Sequence, residues 1–251
     1  MRKDAVGGVF RAAKTHPGES VQRDVDSAAI PQFGVAAINR LLGQCQVRRV
    51  AAKTIVISAG EAPGSLYFVM EGSVAVISKD ENGNEIVVSY LNRGEFFGEA
   101  GLFQQTPARS VWVHTRKECL LGEINYRRFR ELARNDPELL FELAGQLAAR
   151  LGTITLKVRD LAFLNVSDRI ARGLQDLCAQ PDAMTHPDGM QIRVSRRELG
   201  RIVGCSREMA GRVLKSLEDK SFIAANGKTI VVFGARPVSD KTVMRRQLRV
   251  K

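Results

Sequence analysis

The chain has 251 residues, 44% of them hydrophobic, enough for one or two domains with real cores and not a composition for a chain disordered or fibrous throughout. Lys and Arg number 38 against 27 Asp and Glu, and the resulting net charge of +11 favours a polyanionic partner, nucleic acid or an acidic membrane surface, over the small substrates of an ordinary metabolic enzyme. Every apolar stretch falls far short of the roughly 18 residues a transmembrane helix requires, and residues 1–31 lack the apolar core of a signal peptide, so a cytoplasmic chain without a membrane partner is expected.

Residues 1–31 mix Gly, Ser, Asp, Lys and Pro without periodicity and read as a mobile leader. From about Ala51 to Ile124 the pattern changes to short β-branched runs punctuated by glycine, TIVIS, SLYFVMEGSVAVIS, EIVVSY, SVWV and CLLGEI, which predicts an antiparallel sandwich or barrel. Asn82-Gly83 between two such runs is a hairpin signal, because both central positions of that turn favour residues tolerating positive φ. Trp112 and the 11 phenylalanines suit a β-core better than a stacking platform for single strands, since no aromatic pair is interleaved with basic residues.

After Asn135-Asp136-Pro137 a helix is predicted, with apolar residues at Leu140, Ala144, Leu147, Leu151, Ile154, Val158 and Leu161. The gaps alternate four and three, a coiled-coil seam whose natural partner is the same helix of a second chain; packing on its own β-domain is the alternative. Asn165-Val166-Ser167-Asp168 offers capping residues and marks a helix break and hinge. Beyond it the charge concentrates: residues 165–251 hold 17 Lys and Arg against 9 Asp and Glu, an electrostatic footprint suited to a phosphate backbone.

Ser195-Arg196-Arg197-Glu198 is a capping box, in which the serine oxygen accepts from the Glu198 amide while the glutamate reaches back. A short helix follows, Gly204-Cys205-Ser206 interrupts it, and a second helix presents the apolar stripe Ala210, Val213, Leu214 and Leu217. Helix, glycine-containing turn and helix make a helix-turn-helix outline, and the opposite face carries Arg207, Glu208, Arg212 and Lys215, whose donors and acceptors suit the major groove; a solvated surface face is the alternative. Asn226-Gly227 between two apolar runs predicts a two-residue hairpin, the wing of a winged helix-turn-helix. Cys45, Cys119, Cys178 and Cys205 form no C-x-x-C pair, and only His16, His114 and His186 are present, so reduced thiols and no metal site are expected.

Here the resemblance becomes specific. FGEAGLF followed by ARSVWV, then LAFLNVSDRIA, PDAMTHPDGMQ, IVGCSREMAGRVLKSLE and GKTIVVFG resemble, over about residues 35–235, the cyclic-AMP receptor protein (catabolite activator protein) family, close to its virulence factor regulator branch. The resemblance implies an α+β chain: an N-terminal jelly-roll cyclic-nucleotide-binding domain, a coiled-coil dimerisation helix and a C-terminal winged helix-turn-helix. The boundaries expected are leader 1–31, β-domain 32–135, helix 136–164, DNA-binding domain 165–236 and basic tail 237–251. The tail is a solvated end by default, or a nonspecific DNA contact.

The resemblance further implies that Gly98, Glu99, Arg109 and Ser110 belong to a phosphate-binding cassette for cyclic AMP. A glycine lets backbone amides approach an anion, Arg109 can pair with the phosphate, and Glu99 can accept from a ribose hydroxyl; an ordinary Arg–Glu surface pair is the bland alternative. Ile154 and Thr155 match the pair of hydroxyl residues that contact adenine, one from each subunit, and Ile154 cannot make that hydrogen bond. On double-stranded DNA the resemblance implies base contacts by Arg207, Glu208 and Arg212 and phosphate contacts by Arg196, Arg197, Ser206 and Lys215. Residues 181–191, by composition a loop, would touch the RNA polymerase α subunit, with Thr185 important. The expected function is thus a homodimeric, nucleotide-gated transcription regulator and not an enzyme. Gating by cyclic di-GMP, activity without ligand, and a sensor acting only through protein contacts are the alternatives.

Overall fold

The computed structural model describes residues 33–103 and 108–237; the expected leader, and the basic tail apart from Pro237, lie outside them. Helix α1 (Phe33–Leu42) leads into β1 (Gln46–Val50), β2 (Ile55–Ile57), β3 (Ser65–Glu71), β4 (Ser73–Lys79), β5 (Glu85–Asn92), β6 (Phe96–Phe97), the single-turn α2 (Ala100–Phe103), β7 (Trp112–Thr115) and β8 (Cys119–Asn125). The strands form two four-stranded antiparallel sheets, ordered β1-β8-β3-β6 and β2-β7-β4-β5.

Strand alternation divides the core in two. In β3, Tyr67 and Val69 face the second sheet together with Val74, Leu91, Phe97 and Leu121, whereas Leu66 and Phe68 face a layer of helices, because successive side chains of a strand point to opposite faces. That layer is α1, α3 (Tyr126–Asn135) and the start of α4 (Glu138–Phe163), which contribute Leu41, Phe129, Leu139 and Leu143. The sequence reading named neither α1, β1 nor α3. In α3 the apolar stripe Tyr126, Phe129 and Ala133 is diluted by four arginines, and Asn125 caps it by accepting from the Arg128 amide at 2.9 Å.

Helix α4 runs 26 residues from its N-cap, Pro137. By length and composition it could cross a membrane, which corrects the expectation that every apolar stretch falls far short. The apolar seam together with Ala and Gly raises its hydropathy; Arg150 and Lys157 nevertheless tie it to the β-domain. Leu151 and Val158 are 67% and 59% exposed, Leu140, Ala144 and Leu161 are also exposed, Ile154 is half-buried, and Leu147 packs on the helical core of the β-domain.

Asn165 ends the hinge and caps α5 (Val166–Cys178), accepting from the Asp168 amide at 3.0 Å. Then come β9 (Met184–His186), β10 (Gly189–Arg193), α6 (Arg196–Val203), α7 (Arg207–Asp219), β11 (Ile223–Asn226) and β12 (Thr229–Phe233), with the four strands ordered β11-β12-β10-β9. Residues 181–191, read as a loop, therefore include a short hairpin in which Thr185 pairs with Met190.

Two turns differ from expectation. Between β4 and β5 the loop spans Asp80 to Asn84, with Gly83 at φ +79° and the Asp80 carboxylate accepting from the amides of Asn82 and Asn84. A local aspartate-centred turn replaces the two-residue hairpin because these bonds satisfy the backbone without Asn82 entering positive φ. In the wing, Asn226 pairs with Thr229, so the loop is Gly227-Lys228, one residue later than predicted. Gly227 at φ +62° takes the first loop position, where a turn with positive φ there favours glycine.

Candidate nucleotide cradle and nucleic-acid interface

The first candidate site forms where β6 ends. Gly98 has φ +80°, and a Cβ there would lie 3.0 Å from the Ser65 carbonyl oxygen and 3.1 Å from Arg109 Nη1, so the cradle is closed to any larger residue. Arg109 donates from Nη2 to the Ser65 carbonyl at 3.0 Å, and its backbone is pinned on both sides, its amide to Glu61 O and its carbonyl to Gly60 N, each at 2.9 Å. Tyr126, at the start of α3, donates its hydroxyl to the Gly98 carbonyl; burial raises its pKa, against the opposing charge of Arg109. Ser110 is exposed at the rim.

Glu99 is not paired with Arg109 in the manner of a surface ion pair. Its Oε1 lies 3.1 Å from Nη1 of Arg150 on α4, both side chains are largely covered, and Arg150 also donates to the Phe96 carbonyl at 2.6 Å. Among the described residues the buried Arg150 Nε has no hydrogen-bond partner. The sequence reading missed both Tyr126 and Arg150. Arg150 sits between seam positions Leu147 and Leu151 and passes in sequence for a flanking cation, its partner Glu99 being 51 positions away.

Thr155 is exposed and its hydroxyl donates to the Leu151 carbonyl at 2.9 Å, one turn back along its own helix. Within this chain that hydroxyl is thus not joined to Glu99 or Arg109. Gly98 beside the Arg109 guanidinium, with the Glu99 carboxylate next in sequence, offers donors and an acceptor suited to an anionic ligand carrying hydroxyl groups. Among the described residues there is no cluster of His, Cys, Asp and Glu able to hold a metal ion.

The second candidate site is on the DNA-binding domain. Ser195 caps α6, accepting from the Glu198 amide at 3.1 Å, and Ser206 caps α7, accepting from the Met209 amide at 3.1 Å. The arm that Glu198 was expected to return to its own cap goes elsewhere: its Oε1 accepts from Tyr90 at 3.0 Å, because the β-domain brings a half-buried donor within reach. Between the helices, Gly204 adopts the left-handed conformation at φ +69°, while a Cβ on Gly200 would lie 2.5 Å from the Cys205 carbonyl oxygen.

The stripe Ala210, Val213, Leu214 and Leu217 is buried in the domain core with Leu199, Ile230 and Val232. That orientation leaves Arg207, Glu208, Arg212 and Lys215 exposed, and together with Arg196 and Gly211 they line a shallow groove of about 530 Å³. Arg197 is exposed beside Arg196. The backbone amide at the start of α7 and the Ser206 hydroxyl hold the Glu208 carboxyl below its ordinary range, so it remains an acceptor. Thr185 is exposed on β9.

A β-roll with an anion cradle, joined through one long helix to a winged helix-turn-helix, defines the class of ligand-responsive DNA-binding regulators. Family models agree on both halves: "cyclic nucleotide-binding domain" matches residues 47–136, and "bacterial regulatory proteins, crp family" matches residues 192–223. The chain is 53% identical over 202 residues to the cAMP-activated global transcriptional regulator Vfr of Pseudomonas aeruginosa, covering 79% of this chain and 94% of that protein. It is 51% identical over 195 residues to the cAMP-activated global transcriptional regulator CRP of Salmonella typhimurium, covering 78% and 93%. Among solved structures, the c-di-GMP responsive global regulator CLP of Xanthomonas campestris superposes with a TM-score of 0.76 at 45% identity, covering 79% of this chain and 99% of that one. The chain belongs to the crp family of bacterial regulatory proteins, whose members are transcription regulators and not enzymes.

Proposed function

We propose that this protein is a cyclic-AMP-responsive transcription regulator that binds palindromic promoter DNA as a cytoplasmic homodimer and contacts the RNA polymerase α subunit through the hairpin carrying Thr185. The observation that carries the gating is the Glu99–Arg150 pair, which joins the cassette to the long helix at 3.1 Å. In this reading Arg109 and Ser110 hold the cyclic phosphate, Gly98 leaves room for its approach, and Glu99 accepts from the ribose 2′-hydroxyl. Engaging Glu99 changes what Arg150 is paired with, and Arg150 is part of α4, so occupancy biases the placement of the helix that two subunits share. The exposed seam of Leu140, Ala144, Leu151, Val158 and Leu161, continued by half-buried Ile154, supports pairing of α4 with its copy. Two recognition helices would then face successive major grooves, an arrangement for which catabolite activator proteins are the type case.

Calorimetric titration of the intact protein with cyclic AMP and with cyclic di-GMP tests the ligand. Saturable binding of cyclic AMP is expected, with Arg109→Gln losing about 1.5–3 kcal/mol, the range for a hydrogen bond to a charged group. Heat with cyclic di-GMP alone would favour the second reading, which the likeness to CLP supports. No heat with either would contradict nucleotide gating.

A further inference from the structure

We propose that β5 is the bar that orients the DNA reader within one subunit, with Tyr90 and Arg201 as its positioning residues; this rests on the DNA-binding reading above. The strand touches both halves of the chain. On one side, with the turn that follows it, it is tied to α4: Lys157 donates to the Val87 carbonyl, and Gln146 donates to the Gly94 carbonyl and accepts from the Phe96 amide, each at 2.9 Å. The Phe96 carbonyl is also the acceptor for Arg150, the partner of Glu99. The same short segment therefore adjoins the nucleotide cradle and runs on into the strand that meets the DNA-binding domain.

On the other side its side chains enter that domain. Tyr90 packs against the domain core, its hydroxyl donates to Glu198 on α6 at 3.0 Å, and the Arg116 guanidinium lies 3.8 Å above its ring centroid. Arg116, in the turn between β7 and β8, also pairs with Asp182 at 3.1 Å. Arg201 Nε of α6 is 3.0 Å from Glu85 Oε2, close enough for an ion pair although its N–H is not aimed at the oxygen. Asn92 donates to Gln180 at 3.2 Å. Apolar contact alone would let the domains slide, whereas hydrogen bonds from Tyr90 and Asn92, an ion pair at Glu85 and a second one from the β7–β8 turn restrict their rotation. Burial, reinforced by the Glu198 carboxylate, raises the Tyr90 pKa well beyond the ordinary phenol range, so the hydroxyl remains a donor. Arg207, Glu208, Arg212 and Lys215 stay exposed in the docked arrangement, so the contact aims the reader without covering it.

The test compares the unmodified protein with Tyr90→Phe, Arg201→Gln and the double variant, each titrated against a labelled palindrome and a scrambled duplex, with saturating cyclic AMP and without it. The double variant should lose about tenfold in affinity for the palindrome, within the usual range of coupling between sites, while its affinity for scrambled DNA and for cyclic AMP stays within about threefold. Arg201→Gln alone should make Tyr90 several-fold more reactive toward hydroxyl radicals, since an undocked ring meets solvent. Unchanged palindrome affinity overturns the assignment. So does an equal loss on both duplexes, which would make Arg201 a phosphate contact, and so does tighter binding, which would make the contact an autoinhibitory clasp. If cyclic AMP does not strengthen DNA binding by the unmodified protein, the gating reading fails; the comparison at fixed ligand still decides the role of β5.

Discussion

Arg207 and Lys215 share the exposed face of α7, yet they should differ in what they discriminate. Arg207 lies in the first turn, where a guanidinium can be bidentate to guanine, so Arg207→Ala should cost about 1–3 kcal/mol on a matched palindrome and relax the preference at one base pair. Lys215→Ala should weaken all sequences alike and lower the salt slope by about 1, as loss of one phosphate contact does. Anisotropy titrations on matched and scrambled duplexes across salt concentrations separate the two; parallel losses would reject the division. These residues were legible because one helical face carries the cations and the other the apolar stripe. Gly98 and Arg109 were named only through the family resemblance, since eleven positions separate them and only the fold brings Arg109 Nη1 within 3.1 Å of where a Cβ on Gly98 would lie. Glu198 was legible only in part: its amide is capped by a residue three positions away, but its carboxylate meets Tyr90, 108 positions away, and no local pattern encodes that meeting. Arg150 was hidden for the same reason, its partner Glu99 being 51 positions away.

At the scale of elements, α4 carries two consequences. Ile154 is half-buried and continues a seam that is otherwise largely exposed, so in the proposed pairing of α4 with its copy an apolar side chain there should stabilise the pair without ligand. Ile154→Thr should therefore weaken ligand-free DNA binding and increase dependence on cyclic AMP, read by anisotropy with and without nucleotide; an unchanged ratio would show that Ile154 only fills space. Lys157, two residues from Thr155, has its pKa lowered to about 8 by burial, partly offset by Asp176. Below that value the lysine is charged in both folded and unfolded chains and the burial penalty is fully present. Between about 8 and the ordinary 10.5 the unfolded chain binds more protons, so stability rises with pH through that window. Urea unfolding of the unmodified protein and Lys157→Met from pH 7.5 to 10.5 should show that increment, about 1–3 kcal/mol, only in the former. The stripe of α7 was readable because burial there repeats at about 3.6 residues, the seam of α4 because its apolar positions alternate by four and three although most are exposed, and β3 by its unbroken apolar run, buried on both faces. α3 was not, since its four arginines outweigh a three-residue stripe, and both hairpin loops were misplaced by local side-chain bonding and by where the strands stop pairing.

Across the whole molecule, the β-domain and the DNA-binding domain are joined through α4 and meet again along β5, whose Glu85, Tyr90 and Asn92 all reach the DNA-binding domain. The composition foretold the basic half and the strand-rich half, and the glycine-marked motifs foretold their classes. The docking of the halves was not readable, because it depends on pairs such as Glu85 with Arg201 and Arg116 with Asp182 that only the folded chain assembles. The central claim is that nucleotide at the cradle strengthens sequence-specific DNA binding by the reader helix. Fluorescence anisotropy of the unmodified protein on a labelled palindrome, at fixed salt and with and without saturating cyclic AMP, measures that coupling directly. The account predicts measurable binding without ligand and about tenfold tighter binding with it, on the palindrome and not on a scrambled duplex; equal affinity with and without cyclic AMP would contradict it.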